Sequence, residues 1–384
     1  MEMPHKKRNF GIASESYGRL VMDAFETADT LVPLKSLRPS FLEDLFKHVA
    51  VQMVFAGQVI FEDGTYDMQH IYLQNGNVEY EFPTGKKELV RARDTSVPLA
   101  HQQPRPCRCV AKTDCTVLRI DSDRVDRTVS WSQIADYLLA ELSMQRDYDE
   151  DIEWMYTVLN SNLFLKAPPV NAQQIFSRLT PMVVDEGEVI IREGEVGDCC
   201  YFIKEGQASV TVRAESLVHS DLLAEIGPGR CFGEDALVNE AVRNASITMK
   251  TDGVLMRLEK SDFLLLLKEP AVDELTLDEI EEMIEVPIFV DVRTDDEYSQ
   301  GHLAFSANIP LSLLSIKKRQ LAPEIPCVIY CDTGRRSRAA ACLLGKQGFN
   351  VTCLKDGYLG ANIEDELIQG DGYIIREGEL FSSQ

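Results

Sequence analysis

The sequence predicts a multidomain α+β chain in which two antiparallel β-rolls of the jelly-roll type precede an α/β domain built on a parallel sheet. One observation is an internal repeat. Gly57-Gln58-Val59-Ile60-Phe61-Glu62-Asp63-Gly64 returns as Gly187-Glu188-Val189-Ile190-Ile191-Arg192-Glu193-Gly194, and Ile71-Tyr72-Leu73 with Gly76 returns at the same spacing as Tyr201-Phe202-Ile203 with Gly206. A repeat of this length means one module used twice. Each copy is also a series of short segments rich in Val, Ile, Tyr and Phe, broken by Gly and Asp turns, which is the pattern of an antiparallel roll. The third observation is a change of pattern near the C-terminus: an apolar strand, Pro326 to Tyr330, runs through a short loop into a helical stretch, Ser337 to Gly345.

Taken along the chain, residues 1–36 read as an N-terminal extension, whose amphipathic stretch Tyr17 to Phe25 is expected to cap the first roll or pack on a partner. Residues 37–150 form the first roll, 151–272 the second, and 273–384 the α/β domain with a C-terminal tail. Ser132 to Met144 and Asp151 to Leu165 carry apolar residues at helical spacing with acidic faces, so both are expected to pack as helices against the rolls. A helix from Ser261 to Lys268 stops at Pro270, and a second, Thr276 to Glu285, already belongs to the last domain. The join is short, and the last domain or a second subunit is therefore expected to act as the lid of the second roll.

Composition narrows the function classes. A net charge of −23 over 384 residues argues against a surface that gathers nucleic acid or anionic membrane. No apolar run approaches the ~20 residues needed to span a bilayer, Phe263 to Leu267 included, so no membrane insertion is expected. The basic start, with Lys6, Lys7 and Arg8, is followed by no apolar segment, and a cytoplasmic location is expected. The ten cysteines form no CxxC pair and the six histidines do not fall at ligand spacing to them, which indicates neither a zinc site nor a disulfide framework. Cys107, Cys109, Cys199 and Cys200 read as strand residues, and no cofactor is required.

The segment Cys331-Asp332-Thr333-Gly334-Arg335-Arg336-Ser337 places a thiol where a strand ends and a helix begins. Ligands gather at that edge of an α/β sheet, and the N–H groups of the loop together with two guanidinium groups are expected to lower the thiol pKa and keep a nucleophile at neutral pH. Upstream stand Val290-Asp291-Val292-Arg293, Glu297-Tyr298, Gly301-His302-Leu303 and Ala307-Asn308-Ile309-Pro310. Over residues 276–363 these separated motifs, in this order, resemble the rhodanese (sulfurtransferase) domain. The resemblance implies that Cys331 takes sulfane sulfur from a small donor such as thiosulfate, becomes a persulfide and passes the sulfur on, with Arg335 and Arg336 as the anion pocket. It also implies that Asp291, Arg293, Glu297 and His302 are structural, through buried ion pairs and hydrogen bonds. Lys355-Asp356-Gly357-Tyr358 departs from the Gly pair common there. Related phosphatase loops place an Arg six residues after the Cys; Ser337 stands at that place, which favours sulfur chemistry over phosphate.

In the second roll, Phe232-Gly233-Glu234-Asp235-Ala236-Leu237-Val238 is followed by Arg243-Asn244-Ala245-Ser246. Gly233 permits close backbone approach, a helix starting near Glu234 points N–H groups at an anion, and Arg243 supplies a charged partner. With Gly194, Gly197, Asp198 and Gly206 these residues resemble the phosphate cassette of cyclic nucleotide-binding domains. The resemblance implies a cyclic nucleotide held by Gly233, Glu234, Ala236, Leu237, Arg243, Asn244 and Ala245, with Glu234 accepting from the ribose hydroxyl and cAMP preferred over cGMP as a regulatory ligand. In the first roll the corresponding stretch, Ser96 to Pro106, keeps Pro104-Arg105 but lacks the Gly-Glu pair, and Pro98 removes an amide donor. That copy is expected to be degenerate and to serve as a structural or dimerising partner, in a homodimer.

Together these readings point to a cyclic-nucleotide-regulated sulfurtransferase. The alternative is a non-catalytic nucleotide receptor whose last domain docks a partner or senses sulfur or redox state. A transcription regulator is disfavoured by the acidity and by the domain that stands where a DNA-reading helix pair would be.

Overall fold

The computed structural model describes residues 22, 24–144, 154, 171, 176, 178–213, 220–268, 271–363, 366–370 and 372–382. Most of the expected amphipathic segment Tyr17 to Phe25, and Asp151 to Leu165 apart from Trp154, lie outside the described residues.

Helix α1 (Pro39–Phe46) starts on a proline, where a missing N–H costs nothing. The first roll follows as β1 (Ala50–Val54), β2 (Val59–Phe61), β3 (Gln69–Asn75), β4 (Asn77–Glu81), β5 (Lys87–Arg91), β6 (Arg108–Ala111) and β7 (Cys115–Asp121). Two antiparallel sheets, β1-β7-β3 and β2-β6-β4-β5, share a core that includes Ile71, Val78, Cys109 and Val117. Cys107 falls in the bend before β6 rather than on a strand. Helix α2 (Ser122–Met144) closes this roll.

The second roll repeats the plan with β8 (Thr180–Val184), β9 (Val189–Ile191), β10 (Cys199–Glu205), β11 (Ala208–Arg213), β12 (Ser220–Ile226), β13 (Cys231–Phe232), helix α3 (Glu234–Val238), β14 (Ser246–Met249), β15 (Gly253–Glu259) and helix α4 (Lys260–Leu266). Its sheets are β13-β10-β15-β8 and β12-β11-β14-β9. Strands β8, β9 and β10 reproduce β1, β2 and β3 at the spacing of the sequence repeat.

The last domain runs β16 (Glu274–Leu275), α5 (Leu277–Glu281), β17 (Ile288–Asp291), α6 (Asp295–Gln300), β18 (Ser306–Asn308), α7 (Leu314–Lys317), β19 (Cys327–Tyr330), α8 (Arg335–Gly345), β20 (Val351–Leu354), α9 (Gly357–Gly360), β21 (Tyr373–Arg376) and β22 (Glu379–Ser382). The strands line up as β16-β20-β19-β17-β18-β21-β22, parallel except for the closing β21–β22 hairpin. Helix α5 is shorter than the sequence suggests, and its start is set by a capping box between Thr276 and Glu279.

Helix α2 begins ten residues before the expected Ser132. Asp121 accepts a hydrogen bond from the Arg124 N–H at 2.9 Å and caps it. The extra turns are polar on the side that faces the last domain, and this hid them from a search for apolar periodicity. One buried cluster holds Val125, Trp131 and Ile134 of this helix, Phe202, Leu237 and Leu258 of the second roll, and Val290, Leu311 and Leu344 of the last domain. At its edge Lys318 pairs with Glu141 at 2.8 Å and Lys35 with Asp296 at 2.7 Å.

Because Trp131 is 1 % exposed within this shared core, Trp131→Ala is expected to cost about 3–5 kcal/mol and to shift unfolding of the last domain as well. Denaturant titration read on both parts checks this; a last domain whose midpoint does not move would show that the helix is not a common buttress.

Candidate functional sites

Strand β19 delivers Cys331 to the edge of the parallel sheet, and helix α8 starts four residues later behind Gly334 (φ +84°). The Gly334 N–H donates to Cys331 Sγ at 3.1 Å, and the thiol reaches the Ser337 hydroxyl at 3.6 Å, which itself donates to the Gly334 carbonyl at 3.0 Å. The loop is locked from behind by Gly357. A Cβ there would stand 2.3 Å from the Asp332 carbonyl oxygen, and its φ is +66°. Asp356, at φ +56°, takes the left-handed turn for which the family pattern has a glycine.

Charge around the thiol differs from the sequence expectation. Arg336, 1 % exposed, is held by Glu297 at 2.8 Å through each of two nitrogens and by Asp332 at 2.9 Å. Arg335 turns away to Asp126 (2.8 Å) and Asp123 (2.7 Å) on helix α2. Both guanidinium charges are therefore neutralised by carboxylates. Cys331 has no exposed surface, and burial, reinforced by the adjacent Asp332 carboxylate, pushes its thiol up to about 11 against the pull of Arg336. The expected lowering of the thiol pKa is thus corrected: in this state the cysteine is a protonated, sealed thiol. Burial also pushes the Asp332 carboxyl up, but Arg336 overrides it and holds that carboxyl far below the ordinary range.

The four residues read as structural lie in buried contacts. Asp291 pairs with Arg293 at 2.6 Å, Arg293 donates to the Gly301 carbonyl at 2.6 Å and to the Tyr358 hydroxyl at 3.1 Å, and His302 donates from Nδ1 to the Tyr298 carbonyl at 2.9 Å. Glu297 closes the cap of α6 as well as holding Arg336, since its carboxylate also accepts from the Thr294 N–H and hydroxyl.

Sequence reasoning missed the other half of this neighbourhood. Asp126 accepts from the Thr333 hydroxyl and from Arg335 Nε, both at 2.8 Å. A cavity of about 720 Å³ opens between the first roll and the Cys331 loop, lined on one side by His70, Ala100, His101 and Gln102 and on the other by Asp332, Thr333 and Tyr358. Nothing in the local sequence marks Asp126 or His70, because their importance comes only from the face of another domain.

In the second roll Gly233 (φ +87°) caps α3, and a Cβ there would collide with Arg243 Nη1 at 2.7 Å. Arg243 donates to the carbonyls of Gly233 (2.6 Å) and Cys199 (2.7 Å) and is 6 % exposed. A cavity of about 240 Å³ brings Gly233, Glu234, Ala236, Arg243, Asn244 and Ala245 together; Leu237 points instead into the shared core. Every residue lining this cavity comes from Ile191 to Ile247, so the expected lid from the last domain is not formed among the described residues. The first roll keeps the same arginine anchor: Arg105 donates to the carbonyl of Gln69, the first residue of β3, as Arg243 does to Cys199, the first of β10. Its remaining nitrogens go to Asp67, Leu99 and Ala100, which leaves it wholly buried and spent on protein.

Residues 181–269 match the family model described as cyclic nucleotide-binding domain, and residues 276–363 the one described as rhodanese-like domain. The chain therefore carries a cyclic nucleotide-binding domain followed by a rhodanese-like domain, behind a first roll of the same plan as the second. It is 37% identical over 119 residues to a cAMP-dependent protein kinase regulatory subunit of Yarrowia lipolytica, covering 29% of this chain and 30% of that protein. A cyclic nucleotide-gated potassium channel of Rhizobium etli is 36% identical over 104 residues, 27% of each chain. The chain thus spans under a third of either relative. The regulatory domain of Toxoplasma gondii PKA, solved with cAMP, aligns over 68% of this chain and 95% of its own at 17% identity, with a TM-score of 0.28.

Burial orders the cysteines for chemistry. Cys231 and Cys342 are partly exposed whereas Cys331 is sealed, so iodoacetamide at neutral pH is expected to modify the first two and spare Cys331, whose alkylation then climbs with pH toward about 11. Peptide mass spectrometry across a pH series reads this, and rapid labelling of Cys331 at pH 7 would overturn the sealed-thiol description.

Proposed function

We propose that the chain is a cyclic-nucleotide-regulated sulfurtransferase, in which Cys331 carries sulfane sulfur as a persulfide and the second roll binds the nucleotide, cAMP in preference to cGMP. The observation that carries the reading is helix α2. It shares a buried core with Leu237 of the nucleotide cassette, and its Asp126 holds Thr333 and Arg335 of the Cys331 loop. A nucleotide seated on Gly233, Ala236 and Arg243 presses on α3, and a shift of α3 changes the packing of α2 and its hold on the loop. A ligand acts in this way only through its difference in affinity for the two loop arrangements.

In the transfer itself the Gly334 N–H donates to Sγ, where it stabilises the anionic sulfur of Cys331 or of its persulfide. Release of Arg335 from Asp123 and Asp126 would return a cation to the loop and lower the thiol pKa toward a reactive value.

The sealed, protonated Cys331 favours a second reading, in which the protein is a nucleotide receptor and its rhodanese-like domain docks a partner or senses sulfur. The two separate in one experiment. Sulfur transfer from thiosulfate is followed while cAMP is titrated, with cGMP, Cys331→Ser and Arg243→Ala alongside. A Cys331-dependent rate that changes with cAMP, at lower concentration than with cGMP, and no longer responds in Arg243→Ala supports the regulated enzyme. A rate near zero at every nucleotide concentration, with binding intact, supports the receptor.

A further inference from the structure

Helix α2 meets the last domain along one stripe. Asp126, Ser130, Gln133, Tyr137 and Glu141 recur at steps of three or four residues, which places them on one face of the helix. Three of them hold the last domain. Asp126 accepts from Thr333 and Arg335 at one end, Gln347 Nε2 donates to the Tyr137 hydroxyl at 3.3 Å, and Glu141 pairs with Lys318 at 2.8 Å. Ser130 and Gln133 lie between these anchors and therefore face the same domain, whose helices α7 and α8 pack against α2.

The polar groups of those two residues are unmet. Ser130 is fully buried and Gln133 nearly so, yet the Ser130 hydroxyl and both ends of the Gln133 amide have no hydrogen-bond partner among the described residues and no surface open to water. Across the interface the Ser315 hydroxyl on α7 is in the same condition, and so is Oδ1 of Asp126. Such groups oppose burial, because each gives up its bonds to water and gains none in return. The apolar cluster that holds Ile134 with Leu311 and Leu314 favours the closed contact. The interface thus rests on a difference between opposed terms. In a permanent contact, positions 130 and 133 would be better filled by apolar side chains; a polar stripe suits a face that also meets water.

We infer that the last domain docks reversibly on this stripe and that the docked state is autoinhibited. Undocking lets water reach Ser130, Gln133 and Ser315, takes Asp123 and Asp126 away from Arg335 and Thr333, and frees the loop that covers Cys331. The docked and open forms are two states of one equilibrium, and anything that favours one of them shifts the exposure of the thiol. The inference deepens the regulation proposed above by naming the contact that moves, and it rests on the Cys331 loop being the output of that regulation.

The test is the alkylation rate of Cys331 in the full chain at a fixed, mildly alkaline pH, read by peptide mass spectrometry. Cys353, fully buried in the neighbouring strand of the same sheet, marks unfolding. Gln133→Met keeps the side-chain volume and removes the unpaired amide. Lys318→Glu sets a like charge against Glu141, and Lys318→Glu with Glu141→Lys rebuilds the pair in reverse. Gln133→Met is expected to slow Cys331 roughly tenfold and Lys318→Glu to speed it about threefold, while the reversed pair returns it to the parent rate and Cys353 stays unreactive. A Cys331 rate unmoved in the folded variants, or faster in Gln133→Met, overturns the switch, as does Cys353 reacting in step with Cys331. The parent is also measured with cAMP: variants ordered as expected, beside a parent rate that cAMP leaves unchanged, remove the nucleotide regulation and keep the docking switch.

Discussion

A single buried cation organises the last domain. Arg336 has almost no exposed surface, and a guanidinium so placed persists only if its charge is met, because an unpaired charge in that position costs several kcal/mol. Glu297 and Asp332 meet it. Glu297 is also the residue that caps α6, and Asp332 also accepts the Thr333 N–H, so one cation joins the helix after β17 to the loop after β19. The carboxylate pairing offsets its pull on the neighbouring thiol, and burial leaves Cys331 protonated under its loop.

The second constraint is helix α2. It belongs in sequence to the first roll, yet its polar early turns are directed at the last domain, where Asp123 and Asp126 hold Arg335 and Thr333. Burial and the facing Asp332 carboxylate push the Asp126 carboxyl up, against the pull of Arg336 and Arg335, so the contact is electrostatically tense as well as close. A roll that no longer presents a glycine cassette has in this way become a wall for a neighbouring site. Its arginine, Arg105, keeps the backbone anchor it shares with Arg243 but has turned its other donors inward to Asp67, Leu99 and Ala100. The inward turn commits every nitrogen of Arg105 to protein acceptors.

Much of this was legible in the sequence because it rests on local rules. The repeat of Gly57 to Gly64 at Gly187 to Gly194 marks turns that recur because the same strands recur, and the strands β1, β2 and β3 come back as β8, β9 and β10. The strand before Cys331, the helix after it and the left-handed Gly334 follow from residue types within ten positions. The sequence by itself therefore determined two rolls, a parallel-sheet domain and the places of the Cys331 loop and the Gly233 to Ala245 cassette. Only the tertiary structure decided the electrostatic state of those places. Whether Arg335 and Arg336 serve a thiol or are consumed by carboxylates depends on Asp126 and Glu297, which lie 209 and 39 residues away in the chain, and whether the first roll stands apart or faces the Cys331 loop depends on which of its faces the shared core buries. Coulomb interactions and burial are set by distance in space, and residue order does not carry that distance.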